Sequence, residues 1–188
     1  MDVSSLTIRR GAPADAPAIA ALARRIFHES FAADNRPEDM AAYMALAFGP
    51  EQQRRELSDD ARTYFLAEHA HALVGYALVH AGGEVPDCVI GRPCVEIVRF
   101  YVDRPWHGAG IATPLMLACE GEARRRGARA MWLGVWERNS RAIGFYTKRG
   151  FRDVGSHHFV LGTDVQTDRV MARELDTGSR SDADFLGT

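Results

Sequence analysis

Residues 102–112 read VDRPWHGAGIA and lead from a strand-like run, Cys94 to Val102, into a helix that stops before Gly127. Gly108 and Gly110 permit a positive φ and a close approach of the backbone to a ligand. The first N–H groups of the helix are unpaired and lie at the positive end of its dipole, so the turn can bind an anion such as a pyrophosphate. On these residues alone, an ordinary tight turn between a strand and a helix is the alternative interpretation.

Two common nucleotide-binding motifs do not fit this turn. The chain has no Gly-Lys-Ser or Gly-Lys-Thr sequence, so the turn is not a P-loop. A dinucleotide-binding fold places its glycine turn after the first strand, whereas this turn follows several predicted elements.

The second informative stretch is residues 132–151, which read WLGVWERNSRAIGFYTKRGF. The pattern predicts a strand, a helix capped by Asn139 or Ser140, a glycine stop at Gly150 and a further strand. Ala142, Ile143 and Phe145 can face a sheet from this helix. Tyr146 follows them by one position and is expected to point towards the helix edge.

The order of the predicted elements is strand, helices, three strands, helix, strand, helix and two strands. This order predicts a single α/β domain with a mixed sheet of six to seven strands and helices on both faces. We expect this domain to span residues 1–175, and the polar, small-residue-rich segment 176–188 to be a flexible tail. The predicted strands are 5–10, 63–67, 72–79, 94–102, 130–136, 151–160 and 167–175.

Composition excludes several functional classes. The 188 residues suit one globular domain, and the net charge of −2 argues against a nucleic-acid partner. No apolar run approaches the roughly 20 residues of a membrane span, and no signal peptide is evident, so we expect a cytoplasmic protein without a membrane partner. The three cysteines form no CxxC motif. His157 and His158 are neighbours on a predicted strand and point to opposite faces, so no metal site is expected.

The two stretches resemble the signature motifs of the GNAT (GCN5-related) N-acetyltransferase superfamily. Residues 107–112, HGAGIA, match the acetyl-CoA motif Gln/Arg-x-x-Gly-x-Gly/Ala, with His107 in place of Gln or Arg. Residues 139–151 match the second motif. Within the superfamily the chain is most similar to PaiA-type spermidine/spermine N-acetyltransferases, and this likeness includes residues 27–31, 35–48, 132–137 and 166–171.

The resemblance implies a twisted, mostly antiparallel sheet with a V-shaped splay between strands 94–102 and 130–136. Acetyl-CoA would lie in this splay, with its pantetheine held by strand backbone and its pyrophosphate on the glycine turn. No metal is implied. The residues that the resemblance assigns to the cofactor are Phe100, Tyr101, Val102, His107, Gly108, Ala109, Gly110, Ile111, Ala112, Asn139, Tyr146 and Lys148.

Direct acetyl transfer requires a neutral amine, a donor to the oxyanion and a proton for the leaving thiolate. The resemblance places Tyr146 close to the sulfur, where its hydroxyl can supply that proton. Relatives often carry a glutamate base at the strand position that Val98 occupies here, and Glu96, on the same face, is the nearest substitute. The alternative for Tyr146 is a core aromatic residue, and the alternative for Glu96 is a solvated or salt-bridged strand residue.

The acceptor is expected to be a small amine, with a polyamine as the first hypothesis. Glu29, Asp34, Glu38 and Asp39, together with Glu96, could attract a polycation, although they could equally form a solvated face. Trp136 is assigned to the acceptor too, although a strand tryptophan commonly packs in a core. The aromatic residues expected to line a slot for a methylene chain are Phe27, Phe31 and Tyr43.

Two further hypotheses stay open from the sequence. The acceptor could be a peptide or protein amine instead of a small molecule. The chain could also be a regulatory acetyl-CoA-binding module with little catalytic activity, since Val98 and His107 depart from the family pattern. In each case we expect a monomer or a homodimer.

Overall fold

The computed structural model describes residues 5–176, so the predicted tail beyond Asp176 lies outside the described residues. One seven-stranded sheet has the order β1-β2-β3-β4-β5-β7-β6. No helix within residues 5–176 is long and apolar enough to cross a membrane. The elements are β1 (Leu6–Arg10), α1 (Ala16–Phe31), α2 (Pro37–Ala47), α3 (Pro50–Leu57), β2 (Arg62–His69), β3 (Ala72–Ala81), β4 (Cys94–Val102), α4 (Ala112–Arg125), β5 (Ala130–Trp136), α5 (Ser140–Lys148), β6 (Arg152–Leu161) and β7 (Asp164–Glu174).

The sheet is antiparallel except where β4 meets β5. These two parallel strands pair over three positions only, from Cys94 opposite Ala130 to Glu96 opposite Trp132. Beyond this point β4 continues to Val102 and β5 to Trp136 without pairing to each other. The predicted fold class is therefore confirmed, including the splay between the two central strands.

A β-bulge at Val98 marks the point where β4 leaves β5. Leu78 of β3 lies opposite Arg99 and Val79 lies opposite Ile97, so Val98 is the extra residue on β4. A bulge bends a strand and increases its local twist, which explains how β4 can turn away from β5 while it stays paired to β3.

Two layers of helices cover the two faces of the sheet. Helices α4 and α5 pack on one face through a core that contains Leu115, Cys119 and Phe151. Helices α1 and α2 pack on the other face, where Ile19 and Met40 are buried. Full burial of a side chain of this size contributes roughly 1.5–3 kcal/mol, so these layers hold the splayed sheet in place.

The last hairpin is longer than the sequence predicts. β7 begins at Asp164, three residues before the predicted start, because a tight turn at Gly162 keeps Leu161 paired with Asp164. Gly162 adopts a φ of 62°, which glycine reaches at no steric cost. The polar run at the start of β7 hides this strand from a pattern that depends on apolar residues.

Candidate active site

A cleft of about 630 Å³ lies where β4 and β5 diverge. The cleft is lined by residues of α1, α2, β4, β5, α5, β6 and β7. Several of the residues predicted for a site meet in it, although they come from distant parts of the chain. Those that line the cleft are Phe27, Phe31, Tyr43, Phe100, Tyr101, Val102, His107, Ala112, Trp136, Asn139 and Tyr146.

Seven of the predicted site residues do not line this cleft. Four of these residues form the turn between His107 and Ala112. His107 and Ala112 themselves do line the cleft. Lys148 is exposed at the end of α5, and Glu38 and Glu96 are considered below. The four turn residues are Gly108, Ala109, Gly110 and Ile111.

The glycine turn has the geometry that an anion site requires. Gly108 and Gly110 adopt φ values of 83° and 86°, and a Cβ at either position would meet nothing within 4 Å. Helix α4 begins directly afterwards, and no side chain caps its N-terminus. Its first N–H groups are therefore available to a ligand at the positive end of the helix dipole.

His107 connects the end of β4 to the start of α5. Its Nε2 lies 2.8 Å from the carbonyl oxygen of Val102, and its Nδ1 lies within hydrogen-bond distance of the Arg141 guanidinium. A carbonyl can only accept, so Nε2 carries the hydrogen and Nδ1 accepts from Arg141. His107 therefore holds the two sides of the splay together next to the glycine turn. The motif pattern does not single out Arg141, because an arginine in a first helical turn looks like a solvated residue.

Asn139 is the N-cap of α5, where its side chain accepts a hydrogen bond of 3.1 Å from the backbone N–H of Ala142. Its side-chain NH₂ group has no hydrogen-bond partner within residues 5–176 and borders the cleft. The cap thus orients Asn139 and leaves an amide donor available for a ligand.

Tyr146 is buried in the α4/α5 core, with 7% of its surface exposed, and lines the cleft. The expectation that it points to the helix edge is wrong: it is the one buried residue of α5, and its ring contacts those of Phe100 and Phe151. Desolvation raises the pKa of its hydroxyl well above the ordinary value. The phenol therefore keeps its proton at neutral pH and makes no hydrogen bond to the residues that the structure describes.

Glu96 lies at the closed end of the splay, opposite Trp132. Its side chain is 26% exposed, and its Oε2 is 4.0 Å from Nδ1 of His80. Burial raises the pKa of the carboxyl group. The structure does not bring this carboxylate into the cleft, because β4 and β5 are still paired at Glu96, so its position does not support a role as general base.

The four predicted acceptor aromatics form one wall of the cleft. The ring of Phe27 lies 4.8 Å from Phe31 and 4.9 Å from Tyr43. Phe31 in turn lies 5.8 Å from Trp136, in an edge-on arrangement. This wall connects α1 and α2 to the end of β5, across the splay.

Two of the four acidic residues predicted for the acceptor at positions 29–39 line the cleft, and the other two do not. Glu29 and Asp34 are exposed residues that line the cleft. Glu38 lies outside the cleft with 74% of its side chain exposed. Asp39 is buried, and its carboxylate accepts hydrogen bonds from the backbone N–H and the hydroxyl of Thr163, at 2.8 and 3.1 Å. The four carboxylates therefore do not form one acceptor site, because Asp39 points into the β6–β7 hairpin.

Asp168 carries no predicted role from its sequence position, yet it lines the cleft on β7 directly opposite Trp136. Its side chain is 15% exposed, and desolvation raises the pKa of its carboxyl group. The only sequence signal is the likeness at residues 166–171. Arg99 also lines the cleft, but Glu56 neutralises its charge at 2.6 Å.

No group of three or more histidine, cysteine, aspartate or glutamate residues within residues 5–176 could hold a metal ion.

Known proteins share both the sequence and the fold. The chain is 34% identical over 161 residues to an uncharacterised N-acetyltransferase of Mycobacterium bovis, covering 86% of this chain and 98% of that protein. An uncharacterised N-acetyltransferase of Lactobacillus delbrueckii subsp. lactis is 29% identical over 161 residues, covering 86% and 92%. The crystal structure of the PaiA N-acetyltransferase from Thermoplasma acidophilum, in complex with coenzyme A, superimposes with a TM-score of 0.73 at 19% identity, covering 91% and 99%.

The sequence profile of the acetyltransferase (GNAT) family matches residues 21–151, a range that includes both motifs and most of the cleft. The chain therefore belongs to the acetyltransferase (GNAT) family and is an acyltransferase.

Proposed function

We propose that this protein transfers the acetyl group of acetyl-CoA directly to a primary amine of a small molecule. The observation that carries the proposal is the cleft between β4 and β5, which joins the glycine turn and Tyr146 to a separate aromatic wall. A donor and an acceptor can therefore meet within the splay.

The donor side fits coenzyme A. The uncapped start of α4 can bind the pyrophosphate, and the amide of Asn139 can bind the pantetheine. From Ile97 to Val102, the edge of β4 that faces β5 is unpaired, so its backbone groups can hold an extended ligand in the manner of an added strand. The PaiA protein of similar fold supports this placement, because it was crystallised with coenzyme A.

The chemistry needs few groups. The amine attacks the thioester carbonyl, backbone N–H groups of β4 stabilise the oxyanion, and Tyr146 protonates the thiolate as the C–S bond breaks. Burial keeps the phenol neutral, which is the state that can donate a proton. No covalent enzyme intermediate is required.

A polyamine such as spermidine or spermine is the acceptor that we propose. The wall of Phe27, Phe31, Tyr43 and Trp136 offers apolar contact to a methylene chain. Glu29 and Asp34 can attract the ammonium groups that stay charged. These two carboxylates replace the larger acidic group that the sequence suggests.

The test is the release of free thiol from acetyl-CoA with spermidine, spermine, an aminoglycoside and a peptide N-terminus as acceptors. Thiol release that depends on an amine supports the acetyltransferase, and preference for spermidine or spermine supports the polyamine assignment. Binding of acetyl-CoA without release with any amine would favour the regulatory module. Release with another amine alone would refute only the polyamine assignment.

A further inference from the structure

Two polar side chains converge on the acceptor side of the cleft, over Gly134 of β5. A Cβ placed on Gly134 would lie 2.6 Å from Nε2 of His157 and 3.3 Å from Oδ2 of Asp168. The two residues are also paired directly across β6 and β7. Any side chain at Gly134 would therefore fill the space in which the carboxylate and the imidazole meet.

Neither polar group is satisfied by the protein. Within residues 5–176 the Asp168 carboxylate accepts no hydrogen bond, and its single ion-pair contact is Nε2 of His157 at 3.9 Å, which is too long for a direct bond. The Nε2 atom of His157 is itself buried without a hydrogen-bond partner. A buried polar atom without a partner is unfavourable, so this arrangement indicates a ligand or a water that completes it.

The surroundings of Asp168 suit an ammonium group. Its cross-strand neighbour is Trp136, and Tyr43, Tyr101 and Phe159 line the same part of the cleft. Aromatic faces around a carboxylate attract a cation while they exclude water. The carboxylate is close enough to Tyr43 and Tyr101 to raise the pKa of both phenols, an effect secondary to their burial.

The other charged groups near the cleft are less suited than Asp168 to bind an ammonium group. Arg99 on β4 is bound to Glu56 and Tyr64, and the exposed Asp34 lines the cleft after the end of α1. β5 contributes no titratable side chain among the cleft-lining residues Gly134, Val135 and Trp136. The titratable groups that interact with the carboxylate are His157 from β6, Tyr43 from α2 and Tyr101 from β4. The other charged side chains that line the cleft are Glu29, Asp34, Arg99, Arg104, Arg138 and Arg141.

We infer that Asp168 binds the ammonium group of the acceptor and accepts its proton, and that His157 carries this proton to solvent. The inference rests on the proposed function, and it assigns the general base to Asp168 instead of Glu96, which does not line the cleft. Asp168 faces the cleft, whereas His157 adjoins Asp168 on the outer strand and is 40% exposed. A rotation of either side chain or one bridging water closes the 3.9 Å gap between them.

The protons and bonds balance as follows. Asp168 takes one proton from the ammonium group, and the free amine forms a C–N bond with the thioester carbonyl. The C–S bond breaks, and the thiolate takes the proton of Tyr146. The second proton of the nitrogen passes to water, from which Tyr146 is reprotonated. Asp168 returns its proton to solvent through His157, so that one ammonium and one acetyl-CoA yield one amide, one thiol and one released proton.

The test compares Asp168→Asn with wild type, with spermidine as the first acceptor and the pH varied from about 5 to 10. We expect kcat/KM at neutral pH to fall about 100-fold, because general base catalysis contributes roughly 10²- to 10⁴-fold. Wild-type kcat/KM should decline at acidic pH as Asp168 becomes protonated, and the variant should lack this acidic limb. The deficit in kcat/KM should shrink as the pH approaches the ammonium pKa of about 10, where the amine loses its proton without a base.

Two further variants make the test specific. Glu174→Gln removes the same charge from an exposed position on the same strand, and it should leave kcat/KM and its pH profile unchanged. His157→Gln should lower kcat more than it raises KM, because the relay acts after the acceptor has bound.

The outcomes separate this inference from the proposed function. If wild type releases thiol with an amine while Asp168→Asn keeps wild-type kcat/KM and its acidic limb, the inference is wrong and the proposed function stands. If wild type releases no thiol with any amine, the proposed function fails, and the inference with it. The increase in melting temperature caused by acetyl-CoA should be the same in Asp168→Asn and wild type, which shows that the variant is folded.

Discussion

The proposed donor side and the proposed acceptor side of the cleft are built in different ways. The donor side uses the turn from His107 to Ala112 and the start of α5, two short segments on the α4/α5 face of the sheet. The acceptor side uses side chains from α1, α2, β5, β6 and β7, which lie far apart in the chain. Backbone geometry therefore provides the one side, and the packing of distant side chains provides the other. Substitutions can test whether the two sides are energetically separate.

The largest effect is expected from Gly110→Glu on the donor side. A ligand that binds only the native state raises the melting temperature by mass action, and acetyl-CoA should do so with wild type. Glutamate at this turn places a negative charge where the pyrophosphate would bind, so the increase in melting temperature should be lost. Gly110→Ala is the matched control: it carries the same strain from the φ of 86° without the charge, and should keep part of the increase. An unchanged increase in Gly110→Glu would place the donor elsewhere.

Tyr146→Phe should act where the two sides meet. We expect kcat to fall by about 100-fold, since the hydroxyl acts only as the thiolate leaves, while the acetyl-CoA-induced change in melting temperature stays as in wild type. The hydroxyl makes no hydrogen bond to residues 5–176, so its removal should cost little stability. Steady-state thiol release and thermal melting provide the two measurements. Wild-type kcat in this variant would leave protonation of the sulfur to solvent.

A smaller effect is expected from the acceptor side alone. Glu29→Gln combined with Asp34→Asn should raise KM for spermidine about three- to tenfold and spare acetyl-CoA binding. Exposed charges attract a ligand weakly, and salt screens them over about 8 Å at physiological ionic strength, so KM should also rise with salt. Glu38→Gln is the matched control, because it removes an exposed charge outside the cleft. Equal effects of the control and the double variant would show that general surface charge decides KM.

The smallest effect concerns stability. Burial raises the folded-state pKa of Asp168, so the folded protein holds this proton more tightly than the unfolded chain does. Stability is therefore lost as the pH rises from the ordinary value of 3.8 through the raised pKa, and the loss persists above it. Asp168→Asn should thus raise the melting temperature by about 1–3 °C at pH 8 and leave it unchanged at pH 3. Thermal melts at the two pH values measure this difference, and a lower melting temperature at pH 8 would show that the ionised carboxylate is stabilised instead.

The features that the sequence predicts correctly follow the same division. The glycine turn, the cap at Asn139 and the order of elements were predictable, because each depends on residues that are neighbours in the chain. The motif identifies Tyr146 but predicts its orientation wrongly, since this orientation depends on packing against Phe100 and Phe151. The positions of Glu38 and Asp39 in the sequence do not show whether their side chains face a ligand, because that depends on the packing of α2 against the β6–β7 hairpin.

The sequence by itself determined the fold class, the family and the position of the glycine turn. Local backbone preferences and apolar periodicity are written in consecutive residues, so they need no knowledge of the sheet. Only the tertiary structure decided which carboxylates enter the cleft, because the register of β5, β6 and β7 sets Gly134, His157 and Asp168 side by side. Strand register brings residues that are distant in the chain into contact, and a sequence pattern does not specify which strands pair or in which register.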